Sequence, residues 1–247
     1  METGLPIIAI PTTYAGSEMT SIYGITEGGI KRTGRDPKVL PKTVIYDPDL
    51  TVTLPVALSV TSGINAIAHA AEALYAQDAN PIISLMSEEG IGALAQAIPA
   101  IVGNALDVDA RAQALYGAWL CGAALGSVGM SLHHKLCHTL GGSFNLPHAS
   151  THTIVLPHVL AYNKWAAPDA LRRIARAIKV PDAAAGLYAL AKENGAPTAL
   201  KEIGMKQEDV AKAAEIATAD PYWNPRSIER DAIHSLLQDA FDGTCPH

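Results

Sequence analysis

Residues 131–158 read SLHHKLCHTLGGSFNLPHASTHTIVLPH and contain six of the nine histidines of the chain. His134 and His138 are four residues apart, so they share one face if this stretch is helical. His148 follows a Gly-Gly pair and a proline, a turn that can fold it back towards the other two. The clustering predicts that these histidines meet at one site.

Outward from this stretch, apolar residues recur at spacings of three and four, which indicates helices. The predicted helices are Leu58 to Ala76, Pro81 to Gly103, Asp109 to Leu132, His134 to Leu140, His148 to Trp165, 168–178, 183–194, 207–218 and 228–241. Pro157 is expected to interrupt its helix, and Gly141-Gly142-Ser143 to end the one before it. Asp109 is expected to cap the third helix.

The first fifty residues have a different character. Short apolar runs at 6–11 and 43–47 predict strands, with a glycine-containing hairpin or wandering loop between them. The sequence therefore predicts a mainly α fold, with a short β region over 1–52 and an all-helical domain over 53–247. So few strands do not make a sheet alone, so the β region is expected to be the remnant of a larger domain.

Composition excludes several classes of protein. The chain has 247 residues, 49% of them hydrophobic, which is enough for a real core. Its 24 acidic and 18 basic residues, with a net charge of -6, argue against a nucleic-acid partner. Three widely spaced cysteines make no disulfide framework, and the N-terminus lacks the basic region of a signal peptide, so a cytoplasmic location is expected.

One stretch requires a test for a membrane span, because residues 112–132 carry no charge. The stretch is rich in Gly and Ala, and lacks the aromatic and basic flanks of a span. Ala118, Gly122 and Gly126 form a small-xxx-small stripe, which permits close approach of helices in membranes and in bundles alike. We expect a buried central helix.

A second candidate pair lies upstream, where His69 stands four residues after Asn65 in GINAIAHAAEAL. A face-sharing pair on one helix, joined by histidines from later helices, is typical of metal or proton-transfer sites in helical bundles. The histidines expected to converge are His69, His134, His138 and His148. The other histidines are expected to be ordinary hydrogen-bonded residues of the core or rim: His152, His158, His234 and His247.

A zinc-protease interpretation fails on one residue. His134 and His138 have the H-x-x-x-H spacing, but Lys135 stands where such an enzyme needs a general-base Glu. Without that carboxylate a metal-bound water has no proton acceptor. Lys135 can instead attract a substrate carboxylate or simply face solvent, and the sequence leaves both open.

A polar loop, residues 10–18 with the sequence IPTTYAGSE, follows the first predicted strand. Thr12, Thr13 and Ser17 offer hydroxyl groups, and Gly16 permits close approach of a backbone. The loop is a candidate for nucleotide contact, with an ordinary polar turn as the alternative. Neither G-x-G-x-x-G after a strand nor G-x-x-x-x-G-K-[ST] occurs.

Four segments together resemble the iron-containing alcohol dehydrogenase family, and within it the maleylacetate reductase branch. They are PTTYAGSEMT (11–20), GRDPKVLPKTVIYDPDLT (34–51), SGINAIAHAAEALYA (62–76) and HHKLCHTLGGSFNLPH (133–148). The resemblance covers nearly the whole chain. It implies the fold shared with dehydroquinate synthase, in which a Rossmann-like domain precedes an all-helical domain and the active site lies between them.

The resemblance also implies roles for individual residues. The family's metal-ligand positions, for Fe²⁺ or Zn²⁺, are Asn65, His69, His134 and His148. His138 matches a histidine near the nicotinamide, and Thr12, Thr13 and Lys31 match cofactor contacts. Family members have Asp at the position of Asn65. Because an amide lacks the charge that offsets a divalent ion, we expect no metal, with Fe or Zn as the alternative.

The resemblance implies an NADH- or NADPH-dependent enzyme that reduces the C=C bond of maleylacetate to 3-oxoadipate, in the degradation of aromatic compounds. The expected catalytic residues are His134, His138 and Lys135, and the expected cofactor contacts are Thr12, Thr13, Gly16, Ser17 and Lys31. The expected partner is a small dicarboxylate, and a homodimer is the default assembly. The alternatives are a metal-dependent alcohol dehydrogenase of the same family and a non-catalytic truncated helical domain.

The family's Gly-Gly-Gly-Ser pyrophosphate turn has no counterpart in the chain. The resemblance thus implies that an N-terminal domain of about a hundred residues is missing. We accordingly expect the chain alone to bind NAD(P)H poorly and to turn over slowly or not at all.

Overall fold

The computed structural model describes residues 5–27 and 30–246, and for residues 26, 27 and 30–33 it describes the backbone only. Two small sheets form the N-terminal part. Strands β1 (Ile8–Ala9) and β4 (Thr43–Val44) pair in parallel, with Ile8 opposite Thr43. Strands β2 (Ile22–Glu27) and β3 (Ile30–Arg35) form an antiparallel hairpin. The hairpin, and not a wandering loop, therefore joins the two predicted strands.

Nine helices follow in the described part of the chain, so the predicted mainly α fold is confirmed. They are α1 (Val56–Ala73), α2 (Pro81–Gly103), α3 (Val108–Ser127), α4 (Leu132–Phe144), α5 (His148–Asn163), α6 (Pro168–Ala177), α7 (Ala183–Glu193), α8 (Asp209–Ala219) and α9 (Arg230–Asp242). Short 3₁₀ turns lie at Ser17–Met19, Pro37–Val39, Pro48–Thr51 and Leu200–Ile203.

Helix α1 is the centre of the helical body, and every residue from Ser59 to Ala73 is buried. It packs against α2, α3 and α5 around a core of alanine, leucine and isoleucine. A second core joins α4, α5, α8 and α9. The low aromatic content fits these close helix contacts, because small side chains let backbones approach.

Several predicted helix ends differ from those observed. The third predicted helix ends at Ser127, and α4 then begins at Leu132 at an angle of 96° to it. The cap of α3 is Asp107, whose carboxylate accepts from Ala110 N at 3.0 Å, and not Asp109. Helix α4 runs through its glycines to Phe144 and is capped by Asn145, which has a left-handed φ of 54°.

Pro157 does not interrupt α5, which is continuous from His148 to Asn163. Proline removes one intrahelical hydrogen bond and costs about 3 kcal/mol in a helix interior. However, every residue from Thr151 to Leu160 is buried, so tertiary packing outweighs that cost.

In the described part of the chain, no single helix is long and apolar enough to cross a membrane. The bent pair of α3 and α4 passes a test of length and composition when the two are taken together.

Candidate active site

A cavity of about 610 Å³ opens between the N-terminal segment and helices α1, α3, α4 and α5. The residues predicted to converge all line it: Asn65, His69, His134, His138 and His148. Its wall is completed by Ser17, Thr20 and the β2–β3 hairpin on one side and by Tyr222 on another. The structure thus gathers the predicted histidines at one place.

Helix α1 supplies Asn65 and His69, one turn apart on the same face, as their spacing predicts. Both side chains are buried, and Asn65 Oδ1 has no hydrogen-bond partner among the described residues. Burial, followed by the neighbouring imidazoles, lowers the pKa of His69 well below its ordinary value. His69 is therefore neutral at physiological pH.

Glu72, one turn further along α1, is a fully buried carboxylate that the sequence analysis missed. Its Oε2 accepts from Ser131 N at 2.8 Å, and its Oε1 accepts from His133 N at 2.7 Å. These are amide groups at the start of α4, where the helix has no partners of its own for them. Glu72 therefore caps α4 from a different helix.

The same carboxylate orients His134. His134 Nδ1 donates to Glu72 Oε2 at 2.7 Å, while His134 Nε2 lies 2.9 Å from His69 Nδ1 and shares a hydrogen bond with it. Burial, and then His138 and His148, lower the pKa of His134 well below its ordinary value. Both nitrogens of this imidazole are thus engaged by protein groups.

One signal pointed to Glu72. It is the only charged residue in the otherwise uncharged, apolar stretch 58–76 of the helical pattern. An acid in the middle of an all-round apolar helix is rarely buried without a set of donors. The donors themselves come from a helix some sixty residues away, which the spacing does not reveal.

His152 was expected to be an ordinary core histidine, and the structure places it against the cavity, where neither ring nitrogen has a hydrogen-bond partner among the described residues. One nitrogen from each of His133, His134 and His152 lies within 4.8 Å of the others. Burial lowers the pKa of His133 to about 4 and that of His152 well below its ordinary value. The available signal was its position four residues after His148, on the same helical face.

The exposed part of the site is built by His138, His148 and Tyr222. The first two are exposed histidines that line the cavity, whereas His134 is 4% exposed. The Tyr222 hydroxyl and His138 Nδ1 share a hydrogen bond at 3.2 Å, and Lys135 Nζ lies 5.1 Å from the centre of the Tyr222 ring. Lys135 is partly buried and is not among the cavity-lining residues. Sequence reasoning missed Tyr222, because it lies in a loop more than eighty residues downstream.

The predicted cofactor loop is anchored to the helical body by Tyr14, which is fully buried. The buried Arg111 donates through Nη1 to the Tyr14 hydroxyl at 2.9 Å, and that hydroxyl donates to Thr51 Oγ1 at 3.1 Å. Tyr14 N in turn donates to Ser62 Oγ on α1 at 3.3 Å. The residues on either side of Tyr14 are therefore held at fixed positions.

The loop residues are placed differently from one another. Thr13 and Ser17 line a second cavity of about 320 Å³, and Thr12 is exposed beside them. Gly16 is buried against Gly122 of α3, so the close backbone approach that it permits is made to that helix. The Lys31 side chain lies outside the described part of the structure.

Comparison with known sequences places most of the chain in one family. Residues 59–241 match the Fe-containing alcohol dehydrogenase family, C-terminal, and residues 1–48 match iron-containing alcohol dehydrogenase. The maleylacetate reductase of Burkholderia cepacia is 60% identical over 246 residues, which are 100% of this chain and 70% of that protein.

Solved structures agree with this assignment. The maleylacetate reductase of Rhizobium sp. strain MTP-10005 is 56% identical with a TM-score of 0.95, over 99% of this chain and 69% of that one. An iron-containing alcohol dehydrogenase of Corynebacterium glutamicum is 48% identical with a TM-score of 0.95, over 100% of this chain and 69% of that one. The chain belongs to the iron-containing alcohol dehydrogenase family.

Proposed function

We propose that this chain reduces the C=C bond of maleylacetate to give 3-oxoadipate, with NADH or NADPH as the hydride donor. The observation that carries the proposal is a cavity lined by five histidines and Tyr222, in a chain 60% identical to a maleylacetate reductase. The family supplies the reaction type, and the cavity supplies the groups that the reaction needs.

The substrate is an enone flanked by two carboxylates. When bound, the nicotinamide supplies a hydride to the carbon β to the ketone. The C=C electron pair moves towards the ketone, so negative charge collects on the ketone oxygen of an enolate. A proton then joins the α carbon and completes the saturated product. A hydrogen-bond donor aimed at the ketone oxygen lowers the barrier, because its hydrogen bond to that oxygen is stronger in the transition state than in the ground state.

His138 is the group we assign to that oxygen. It is exposed at the cavity, so a bound substrate can touch it, whereas His134 is buried with both nitrogens engaged. His134 therefore acts by holding the floor of the site together with His69 and Glu72. Lys135 does not line the cavity itself, but its ammonium group lies 5.1 Å from the ring of Tyr222, which does, and we assign it to the attraction of one substrate carboxylate at that edge.

On the cofactor side, we assign contacts with the reduced dinucleotide to Thr12, Thr13 and Ser17. Ser17 lines both cavities and so stands where they meet. The position of Ser17 supports a dinucleotide bound beside the substrate, as transfer between two adjacent ligands requires.

We further propose that the reaction proceeds without a resident metal ion. The four family ligand positions contain no carboxylate, and two of their nitrogens are hydrogen-bonded to each other, between His69 and His134. The nearby carboxylate, Glu72, already accepts from four donors: Ser131 N, His133 N, His134 Nδ1 and the Tyr75 hydroxyl. This neutral donor set does not fit Fe²⁺, which a charged ligand would stabilise.

A metal-dependent alcohol dehydrogenase reaction is the second candidate, and one observation favours it. Asn65 Oδ1 is buried and has no hydrogen-bond partner among the described residues, so its lone pairs are available to bind a cation. Metal analysis separates the two candidates. We expect far less than one equivalent of Fe or Zn per chain after purification without chelators, and a stoichiometric ion would overturn the metal-free proposal.

The function itself is tested with the chain, maleylacetate and a large excess of NADH or NADPH. We expect calorimetric binding of maleylacetate and slow formation of 3-oxoadipate, identified by mass spectrometry. Alanine at both His134 and His138 should abolish product formation. A chain that neither binds maleylacetate nor forms product contradicts the proposal.

A further inference from the structure

A loop between α8 and α9, residues 220–226, closes one side of the candidate site, and we refer to it as the rim segment. Ser131 Oγ, at the start of α4, donates to Trp223 O at 2.6 Å. The side-chain amides of Asn163 and Asn224 exchange two hydrogen bonds, of 3.0 and 2.8 Å. The rim segment is thus fixed to α4 and α5 by buried or partly buried contacts.

This anchoring places Tyr222 over one face of α4. Lys135 and His138 are three residues apart on that helix, so they are neighbours on its surface. A single aromatic side chain therefore contacts both of them, one through its hydroxyl and the other through its ring face. Tyr222 also lines the large cavity itself.

We infer that Tyr222 is a positioning residue, which fixes the tautomer of His138 and the location of the Lys135 ammonium group for binding of the dicarboxylate. The inference rests on the proposed function for its ligand and on the geometry for its two contacts. No part of the reaction assigned above used this tyrosine.

The effect on His138 follows from the hydrogen bond. In this inference the Tyr222 hydroxyl is the donor of the 3.2 Å hydrogen bond to Nδ1, so the neutral imidazole of His138 carries its proton on Nε2. That tautomer is a donor, which is what the developing charge on the ketone oxygen needs. Burial, and then Asp220 and Glu72, raise the pKa of Tyr222, so its hydroxyl keeps the proton that it donates.

The effect on Lys135 follows from the ring. A lysine side chain has many rotamers, and ordering it costs entropy when a ligand binds. The face of the Tyr222 ring attracts the ammonium group and orders it before the ligand arrives. The separation between the Lys135 cation and His138 is then set in advance, which favours ligands whose carboxylate and ketone have the matching separation.

Two substitutions separate the two contacts. Tyr222→Phe removes the hydroxyl and keeps the ring, whereas Tyr222→Leu removes both. With calorimetric titration of 3-oxoadipate, we expect affinity to fall about threefold for the first and about tenfold for the second. In a Lys135→Met background, the two substitutions should lower the affinity for 3-oxoadipate by the same factor, because the ring no longer has a cation to order.

Tyr116→Phe is the matched control, since Tyr116 is 39% exposed and Tyr222 is 37% exposed. Tyr116 lies on α3 and its hydroxyl contacts Glu89, outside the site. We expect its affinity and melting temperature to equal those of the parent chain.

A readout without ligand keeps this inference separate from the proposed function. The nitrogen chemical shifts of His138, measured by NMR on the ligand-free chain, report its tautomer. We expect Nε2–H in the parent and a shift towards Nδ1–H in Tyr222→Phe. An unchanged tautomer in a folded Tyr222→Phe chain overturns the inference, as does unchanged 3-oxoadipate affinity in Tyr222→Leu. If the parent binds neither maleylacetate nor 3-oxoadipate, the proposed function fails while the NMR result still decides the role of Tyr222.

Discussion

Glu72 links the two halves of the candidate site, because one carboxylate caps α4 and orients His134. Glu72→Gln keeps the shape but turns one acceptor into an NH₂ group that faces a donor. We expect the free energy of unfolding to fall by about 2–4 kcal/mol, since buried donors lose their acceptor. Urea unfolding measures the change.

Glu89→Gln is the control for this substitution, because Glu89 is exposed on α2. A surface change of this kind shifts stability by about 0.5 kcal/mol or less. Equal stability of the two variants would show that Glu72 contributes little to the fold.

Asn65 is the position where a single residue bears on metal binding. Asn65→Asp adds a negative charge beside His69 and keeps the size of the side chain. We expect the variant to bind Zn²⁺ more tightly than the parent by about tenfold or more, because a carboxylate is a better ligand for a divalent ion than an amide. Calorimetric titration with Zn²⁺ measures both, and equal affinities would show that the charge at this position does not control binding.

The sequence predicts the residues that share a helical face far better than those that meet across helices. Asn65 with His69, and His134 with His138, follow from a spacing of four. Glu72 and His152 lie three and four residues after His69 and His148, but their partners across α1, α4 and α5 follow from no local period. Tyr222 reaches the site from the rim segment through tertiary contacts alone. This difference explains why the predicted set of histidines meets at one cavity while its supporting residues were missed.

At the scale of elements, the helix interiors were predictable and some ends were not. Helix α2 has the predicted bounds because local signals mark its start: Asn80 caps it, accepting from Ile83 N at 3.1 Å, and Pro81 occupies its first turn. The boundary between α3 and α4 has no such signal. Asp78 accepts from Gly129 N, and Glu72 from Ser131 N, so residues of distant segments hold the chain in a bend there.

The stripe of small residues on α3 turns out to receive a loop and not another helix. A side chain at Gly122 would meet the backbone of Gly16 at 2.8 Å, and one at Gly126 would meet Met19 O at 2.6 Å. Gly122→Ala should therefore push the predicted cofactor loop away from α3. We expect a loss of about 1–3 kcal/mol in the free energy of unfolding, measured by thermal or urea unfolding.

Gly142→Ala is the control for this element, because a methyl group there meets nothing within 4 Å. Gly142 lies within α4, where alanine stabilises a helix relative to glycine by about 0.5–1 kcal/mol. Opposite signs for the two variants are the expected result. A neutral Gly122→Ala would mean that the loop adjusts freely.

At the scale of the whole molecule, the helical body encloses many histidines in neutral form. Burial lowers the pKa of five of them below the ordinary 6.5: His69, His133, His134, His152 and His158. In the unfolded chain these side chains take up protons near pH 6.5, and in the folded chain they do so only at lower pH. Their contribution to stability is therefore complete above pH 6.5 and is lost as the pH falls below it.

We accordingly expect acid to destabilise the chain steeply between about pH 6.5 and pH 4.5, with several protons taken up on unfolding. Two buried acids act in the opposite direction, because burial raises the pKa of Glu18 and Glu72. Five histidines outweigh these two groups, so the net slope keeps its sign. Urea unfolding at a series of pH values gives the slope directly, and a flat profile from pH 7.5 to 5 would contradict this account.

His158→Gln tests how much one histidine outside the candidate site contributes to the slope of the free energy of unfolding against pH. Burial lowers the pKa of His158 to about 4, and its Nε2 has no partner among the described residues. Without the His158 imidazole, the chain takes up one proton fewer on unfolding. The slope of the free energy of unfolding against pH should therefore fall by about 1.4 kcal/mol per pH unit between pH 6 and pH 4.5. An unchanged slope would mean that His158 is already protonated in the folded chain, and that the acid sensitivity comes entirely from the four histidines clustered at the cavity.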